Sequence, residues 1–142
     1  MTSQPPSTTI DRPLIKTVSI DHEGLTLFIG PLEAAIMRAV WNNANTSRAI
    51  YRAVRDEYRP EKSEEIAFTS VTSTIDRLFE RGFLTRTGDR SGYTYAPAVP
   101  DEEAFASLCV SYVLKALIDW YPREVIKIIR QHIASKGSNN GK

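Results

Sequence analysis

Cysteine and histidine are nearly missing from this chain of 142 residues, which carries one cysteine, Cys109, and two histidines, His22 and His132. A lone cysteine excludes an internal disulfide and any multi-cysteine zinc or copper cluster, and it suits a reducing compartment. Neither histidine has a ligand partner at useful spacing, so neither a metal nor a cofactor is expected. Excess charge is missing too, with 18 Lys and Arg against 17 Asp and Glu. Whole-chain charge therefore does not announce a nucleic-acid partner, and any such reading must come from local patterning. The longest strongly apolar stretch without a charge, AFASLCVSYVL at 104–114, falls well short of the roughly 20 residues a membrane span requires. The opening MTSQPPSTT has neither the basic nor the apolar region of a signal peptide. The expectation is a soluble, cytoplasmic protein with no membrane partner. No glycine-rich phosphate loop and no nucleophile with a recognisable base is found, which argues against an enzyme.

What is present divides the chain into four parts. Residues 1–28 read as a flexible arm, rich in Ser, Thr and Pro at its start, with a weak strand expected over 14–29. At Gly30-Pro31 the character changes, and Leu32, Ile36, Ala39 and Val40 recur at helical spacing, giving a first helix over 31–42. Thr46 is a natural cap for a second helix over 47–58, with Ile50, Val54 and Tyr58 on one face. Pro60 and EKSEE form a solvated connector. Thr69 can cap a third helix that ends at Gly82 and turns Val71, Ile75, Leu78 and Phe79 inward. FLTRT and GYTYAPAV then predict a β-hairpin with a basic tip, in which Gly88 and Gly92 are available for positive φ. Pro100 opens a fourth helix over 101–120 with carboxylates in its first turn, and Pro122 separates it from a fifth, REVIKIIRQHIA. Residues 135–142 read as a disordered tail. The fold class is mostly α with a small β-hairpin wing. It consists of a winged helix-turn-helix over 29–99 followed by a two-helix dimerisation region over 100–134.

The third helix carries the functional signal. Its outward arc bears Thr69, Ser70, Thr72, Ser73, Asp76 and Arg77. Short hydroxyls let a helix approach base edges closely and offer hydrogen bonds, and Thr adds a methyl for thymine. Two readings stand for each residue. Thr69 is an N-cap or a base contact. Ser70, Thr72 and Ser73 contact DNA or form a polar face, although several mediocre helix formers on one exposed arc favour contact. Arg77, Arg86 and Arg90 are phosphate ligands or solvated surface, with Arg86 and Arg90 favoured for their place near the hairpin tip. Arg48, in the first turn of the second helix, opposes the helix dipole unless it faces an anion such as phosphate.

The fourth helix is apolar nearly all round, which leaves more surface than one small chain can cover. Phe105, Leu108, Tyr112, Leu117 and Trp120, with Ile126 and Ile129 of the fifth helix, are therefore expected to form a twofold homodimer. The other outcome is packing on the chain's own winged-helix domain. Cys109 lies within this apolar helix, as a small buried hydrophobe or a redox sensor at the dimer axis.

The runs GPLEAAIMRAVW at 30–41, IAFTSVTSTIDRLFERGFLTR at 66–86 and YTYAPAV at 93–99 together resemble the penicillinase repressor family, which includes β-lactam-resistance repressors and a copper-responsive branch. The resemblance implies a winged-helix DNA-binding half, a helical dimerisation half, and repression by a homodimer on a palindromic operator in double-stranded DNA. By position it assigns Thr69, Ser70, Thr72 and Ser73 to recognition-helix contacts and Arg86 and Arg90 to the wing. Three departures limit it, one being that residues 59–65 lengthen the connection between the second and third helices, which alters how deeply the third is expected to dock. The copper branch carries a multi-cysteine signature that Cys109 alone does not supply, and the β-lactam branch is inactivated by a regulatory protease cutting near an Asn-Phe bond, a dipeptide absent here. The expected function is thus a sequence-specific DNA-binding transcriptional repressor whose regulatory protease or other inducer is unknown. The competing reading, which the near-neutral charge keeps open, is a winged-helix protein-interaction module without sequence-specific DNA binding.

Overall fold

A computed structural model describes residues 15–58 and 65–140, with side chains through residue 136. Three expectations lie outside the described residues: the start of the N-terminal arm, most of the connector after Tyr58, and the last two residues of the tail.

Helix α1 (Pro31–Trp41) begins with proline at its first position, where the missing N–H has no partner to lose. The Glu33 carboxylate reaches back to accept from the Gly30 N–H at 2.8 Å. The helix stops at Asn43, which takes φ 79°. There the Asn43 and Ala44 N–H groups donate to the Val40 and Ala39 carbonyls at 2.9 and 3.0 Å, a Schellman closure. Helix α2 (Ser47–Glu57) is capped by the Thr46 hydroxyl, which accepts from the Ala49 N–H at 3.1 Å. Helix α3 (Phe68–Glu80) ends in a second Schellman closure at Gly82, φ 89°, where the Gly82 and Phe83 N–H groups reach the Phe79 and Leu78 carbonyls. Strands β1 (Leu84–Asp89) and β2 (Gly92–Pro97) pair antiparallel from Leu84↔Pro97 to Asp89↔Gly92. Helices α4 (Glu102–Trp120) and α5 (Pro122–Asn140) follow. This is a winged helix followed by two C-terminal helices, as the element order predicts.

Several details differ from the sequence-based expectation. No strand forms over 15–29: a 3-10 turn at Gly24–Leu27 occupies its second half. The β-branched residues that prompted the strand, Val18 and Ile20, are exposed and lack a neighbouring strand, while Ile15, Leu25 and Ile29 anchor the segment to the core. Thr69 does not cap α3. The helix starts two residues earlier because Phe68 stacks edge-on against Tyr51 at 5.3 Å and the Tyr51 hydroxyl donates to the Ile66 carbonyl. Ala67 is the cap residue, and its carbonyl accepts from Ser70 and Val71. Asp101 caps α4 by accepting from the Ala104 N–H at 2.8 Å, so it stands before the first turn rather than in it. Helix α5 continues through Asn140, replacing the disordered tail expected from 135, because a nucleated helix extends at little cost.

The core lies where α1, α2, α3 and the base of the hairpin meet, with Ile36, Met37, Ile50, Val54, Val71, Ile75, Leu78 and Leu84 fully buried. Phe105 and Cys109 of α4 belong to the same core. Phe105 packs edge-on against Phe83 at 4.9 Å and Trp41 at 5.8 Å. The Trp41 indole N–H donates to the Val99 carbonyl at 2.8 Å, fastening the chain between hairpin and α4. Phe105 is therefore a correction to the expected dimer surface, because its ring closes this chain's own winged helix. Burial pushes the Cys109 thiol up to about 11, so the thiolate needed for redox chemistry is suppressed.

Phe105→Ala is expected to lower unfolding free energy by about 3–5 kcal/mol, since it deletes a fully enclosed ring. Equilibrium denaturation with an unchanged denaturant slope checks this.

Candidate nucleic-acid interface

Helix α3 has two different flanks. Residues three or four apart share a face, so Ser70, Ser73 and Arg77 form one stripe and Thr69, Thr72 and Asp76 the other. Thr69, Ser70 and Ser73 are exposed and Thr72 is half-buried. The hydroxyls of Thr72 and Ser73 donate to the carbonyls of Thr69 and Ser70, at 3.1 and 3.2 Å. Exposed rotors held only by their own helix exchange readily for an outside partner. No carboxylate stands in the first turn of α3 and no side chain caps it among the described residues. Asp76 and Glu80 crowd the exposed arc further along, so the N-terminal half is the end suited to a polyanion.

Arg48 approaches that end. Its guanidinium lies 5.6 Å from the centre of the Phe68 ring, the first residue of α3. The partner offsetting its unfavourable place on the α2 dipole is thus an aromatic face. Arg77 is exposed, and its one hydrogen bond goes to the Thr74 hydroxyl at 3.1 Å. Thr74 is a position the sequence reading passed over. It is buried at 2% exposure, with its hydroxyl donating to the Ser70 carbonyl at 2.8 Å. Its place three after Val71 and four before Leu78 was the available signal for an inward threonine.

The hairpin puts Arg86 and Arg90 in different settings. Side chains alternate across a strand, so Arg86, opposite Tyr95, points the same way as buried Leu84, toward α3. Its guanidinium sits between the rings of Phe79 and Tyr93, at 3.9 and 4.1 Å from their centres, and 3.8 Å from the Asp76 carboxylate. Arg86 is therefore a clamp between wing and recognition helix, which corrects its expected place near the tip. Arg90 does stand at the tip, exposed. Beside it, the Asp89 carboxylate accepts from the Ser91 hydroxyl and N–H, which holds it below the usual carboxylate range. Only Gly88 takes positive φ, at 98°, and a Cβ there would lie 2.5 Å from the Gly92 carbonyl oxygen. Gly92 does not share this conformation, and the chain reverses at Arg90 and Ser91, between the paired Asp89 and Gly92.

Beyond the body of the fold, α4 and α5 expose large apolar side chains. Leu108, Tyr112, Leu117, Ile126 and Ile129 are each more than a third exposed and Trp120 is 80% exposed. From 115 to 124 no residue is even half-buried. Among the described residues no cluster of His, Cys, Asp or Glu is placed to hold a metal, and no helix is long and apolar enough to cross a membrane.

The penicillinase repressor family model matches residues 29–138, well over half of the chain. The chain belongs to the penicillinase repressor family. No curated protein matches it. Membership brings DNA-binding transcriptional repression rather than enzymatic chemistry. In a penicillinase repressor of this build the wing is only as well aimed as its contact with the recognition helix.

Arg86→Ala is accordingly expected to free the hairpin while leaving the helices folded. Amide exchange of β1 and β2 should quicken by about tenfold, consistent with losing a partly buried cation–π contact of roughly 1–2 kcal/mol. Unaltered exchange would show that the clamp is incidental.

Proposed function

We propose that the chain represses transcription as a cytoplasmic homodimer, placing the N-terminal half of α3 from each copy in successive major grooves of a palindromic operator. Residues 29–99 form the DNA-binding half and 100–134 the dimerisation half. Thr69, Ser70, Thr72 and Ser73 meet base edges. Arg48, Arg77 and Arg90 meet phosphates, and Arg86 acts by aiming the wing. The observation that carries this reading is the exposed first half of α3, free of carboxylates and lined with hydroxyls, with Arg48 beside its start. The apolar sides of α4 and α5 support the dimer, since Leu108, Tyr112, Leu117, Trp120, Ile126 and Ile129 are each left more than a third exposed in one chain. A twofold axis there pairs each patch with itself and sets half-sites about 10 base pairs, or a multiple, apart.

The test is binding to duplexes selected from a random pool. Replacing Ser70, Thr72 and Ser73 together with Ala is expected to reduce preference for the selected sequence by about 10- to 100-fold, at about 1–3 kcal/mol for a lost base pairing. Helix stability should hold, because Ala is the better helix former. Unchanged preference would refute the assigned face. A logarithmic salt dependence close to zero would instead favour a protein partner for this surface.

The dimer is checked separately. Leu117→Glu combined with Ile129→Glu is expected to shift sedimentation from dimer to monomer mass and to weaken operator binding by about 100-fold or more through lost avidity. Both residues are exposed within the chain, so the winged helix should keep its fold.

A further inference from the structure

Beyond the hydroxyl-lined start of α3, its C-terminal half borders a cavity through Arg77 and Arg81. The cavity measures about 420 Å³ and opens between the 15–29 segment, the start of α1 and the C-terminal half of α3. That volume lies within the range of about 300–1,000 Å³ typical of small-ligand sites. Lys16 and His22 line it from one side, Arg77 and Arg81 from the other, and Phe28 adds an apolar wall.

The carboxylate in the lining is Glu33, and its oxygens are already engaged: one accepts from the Gly30 N–H at 2.8 Å, the other from Arg81 at 3.3 Å. Lys16 and Arg77 face the same space with no carboxylate partner among the described residues. Two uncompensated cations in a concavity, with the hydroxyls of Thr17 and Ser19 beside them, describe an oxyanion site. Lys16, Thr17, Ser19, His22 and Phe28 precede residue 29, where the family match begins, and the other half of the lining falls within it.

We propose that this cavity is an effector site for a small acid, bearing a phosphate or carboxylate group and a short apolar portion. Lys16 and Arg77 hold the anionic group, His22 donates a hydrogen bond and Phe28 covers the apolar part. The recessed, partly acidic floor suits a free small molecule better than the continuous backbone of a duplex. Arg77 lies on the same stripe as Ser70 and Ser73, so an acid that engages its guanidinium withdraws it from DNA. Ligand and operator then oppose one another reciprocally. This coupling rests on the DNA-binding reading above, whereas ligand binding does not.

Calorimetry on the full chain without DNA, at constant ionic strength, with inorganic phosphate and with succinate as probes, tests the site. Saturable binding of at least one probe is expected. It should weaken at least tenfold in Lys16→Gln combined with Arg77→Gln and stay unchanged in Arg90→Gln. Chemical-shift changes in the native chain should centre on Lys16, Ser19 and Arg77. No saturable binding, equal affinity in the double variant, or shifts centred elsewhere would overturn the site. Adding the bound probe to the operator complex should lower DNA affinity beyond the effect of matched chloride. Binding without that loss would overturn the coupling alone. Loss of DNA binding in Arg77→Gln with no probe bound by the native chain would assign Arg77 to the duplex backbone and refute the effector site.

Discussion

The ring of Phe105 is the constraint on which the rest of the molecule depends. It comes from the first turn of α4, yet it is packed edge-on between Phe83, just before the hairpin, and Trp41, the last residue of α1. Fully enclosed aromatic pairs of this geometry add about 0.5–1.5 kcal/mol each beyond the area they bury. Trp41 also binds the Val99 carbonyl, so the peptide leading into α4 is fixed at two points. This joint sets the angle at which α4 leaves the winged helix. In the homodimer proposed above, a hinge in its place would let the two copies of α3 wander relative to each other, and the cost of ordering them would fall on every binding event.

The recognition helix is aimed by a comparable device on its wing side. Arg86 spends its charge on two rings and one carboxylate of its own chain. A lysine offers no planar face to stack and no fork to reach Asp76 at once. The contact ties α3 to β1 side chain to side chain, adding to the buried Leu84 and Tyr95 and to the Tyr95 N–H that donates to the Asn45 carbonyl at 2.8 Å.

Much of this was legible in the sequence because it follows from period and punctuation. The apolar spacing in α1, α2 and α3, the Thr46 cap, the Gly82 stop and the threonine- and aromatic-rich strands located the winged helix to within a residue or two. What escaped was set by distant contacts. The start of α3 is decided by Phe68 meeting Tyr51, 17 positions earlier, so the local preference of threonine for a cap was overruled. The inward turn of Phe105 depends on rings from two other elements, and a helix that is apolar all round gives no periodic hint of which side is covered. Arg86 was misplaced because proximity to a glycine turn was weighed above strand parity, though its even spacing from Leu84 was in plain view. The segment over 15–29 has few apolar residues and a single positive-φ glycine, too little pattern to distinguish a strand from a fastened loop.

Near-neutral net charge is compatible with DNA binding because the arginines are not equivalent. Arg81 is engaged by Glu33, Arg86 by Asp76 and Arg38 by Glu102, so these cations add little to the external field. Arg48, Arg77 and Arg90 have no carboxylate partner among the described residues, and they stand at the start of α3, along its flank and at the wing tip. Glu33 and Glu102 are spent on structural pairs, and Asp76 and Glu80 stand on the far half of α3. What reaches a duplex is thus a short, discontinuous set of positive points around a neutral hydroxyl surface. Such a surface gives weak non-specific attraction and leaves discrimination to the base edges, the balance a repressor needs when competing sites vastly outnumber its operator.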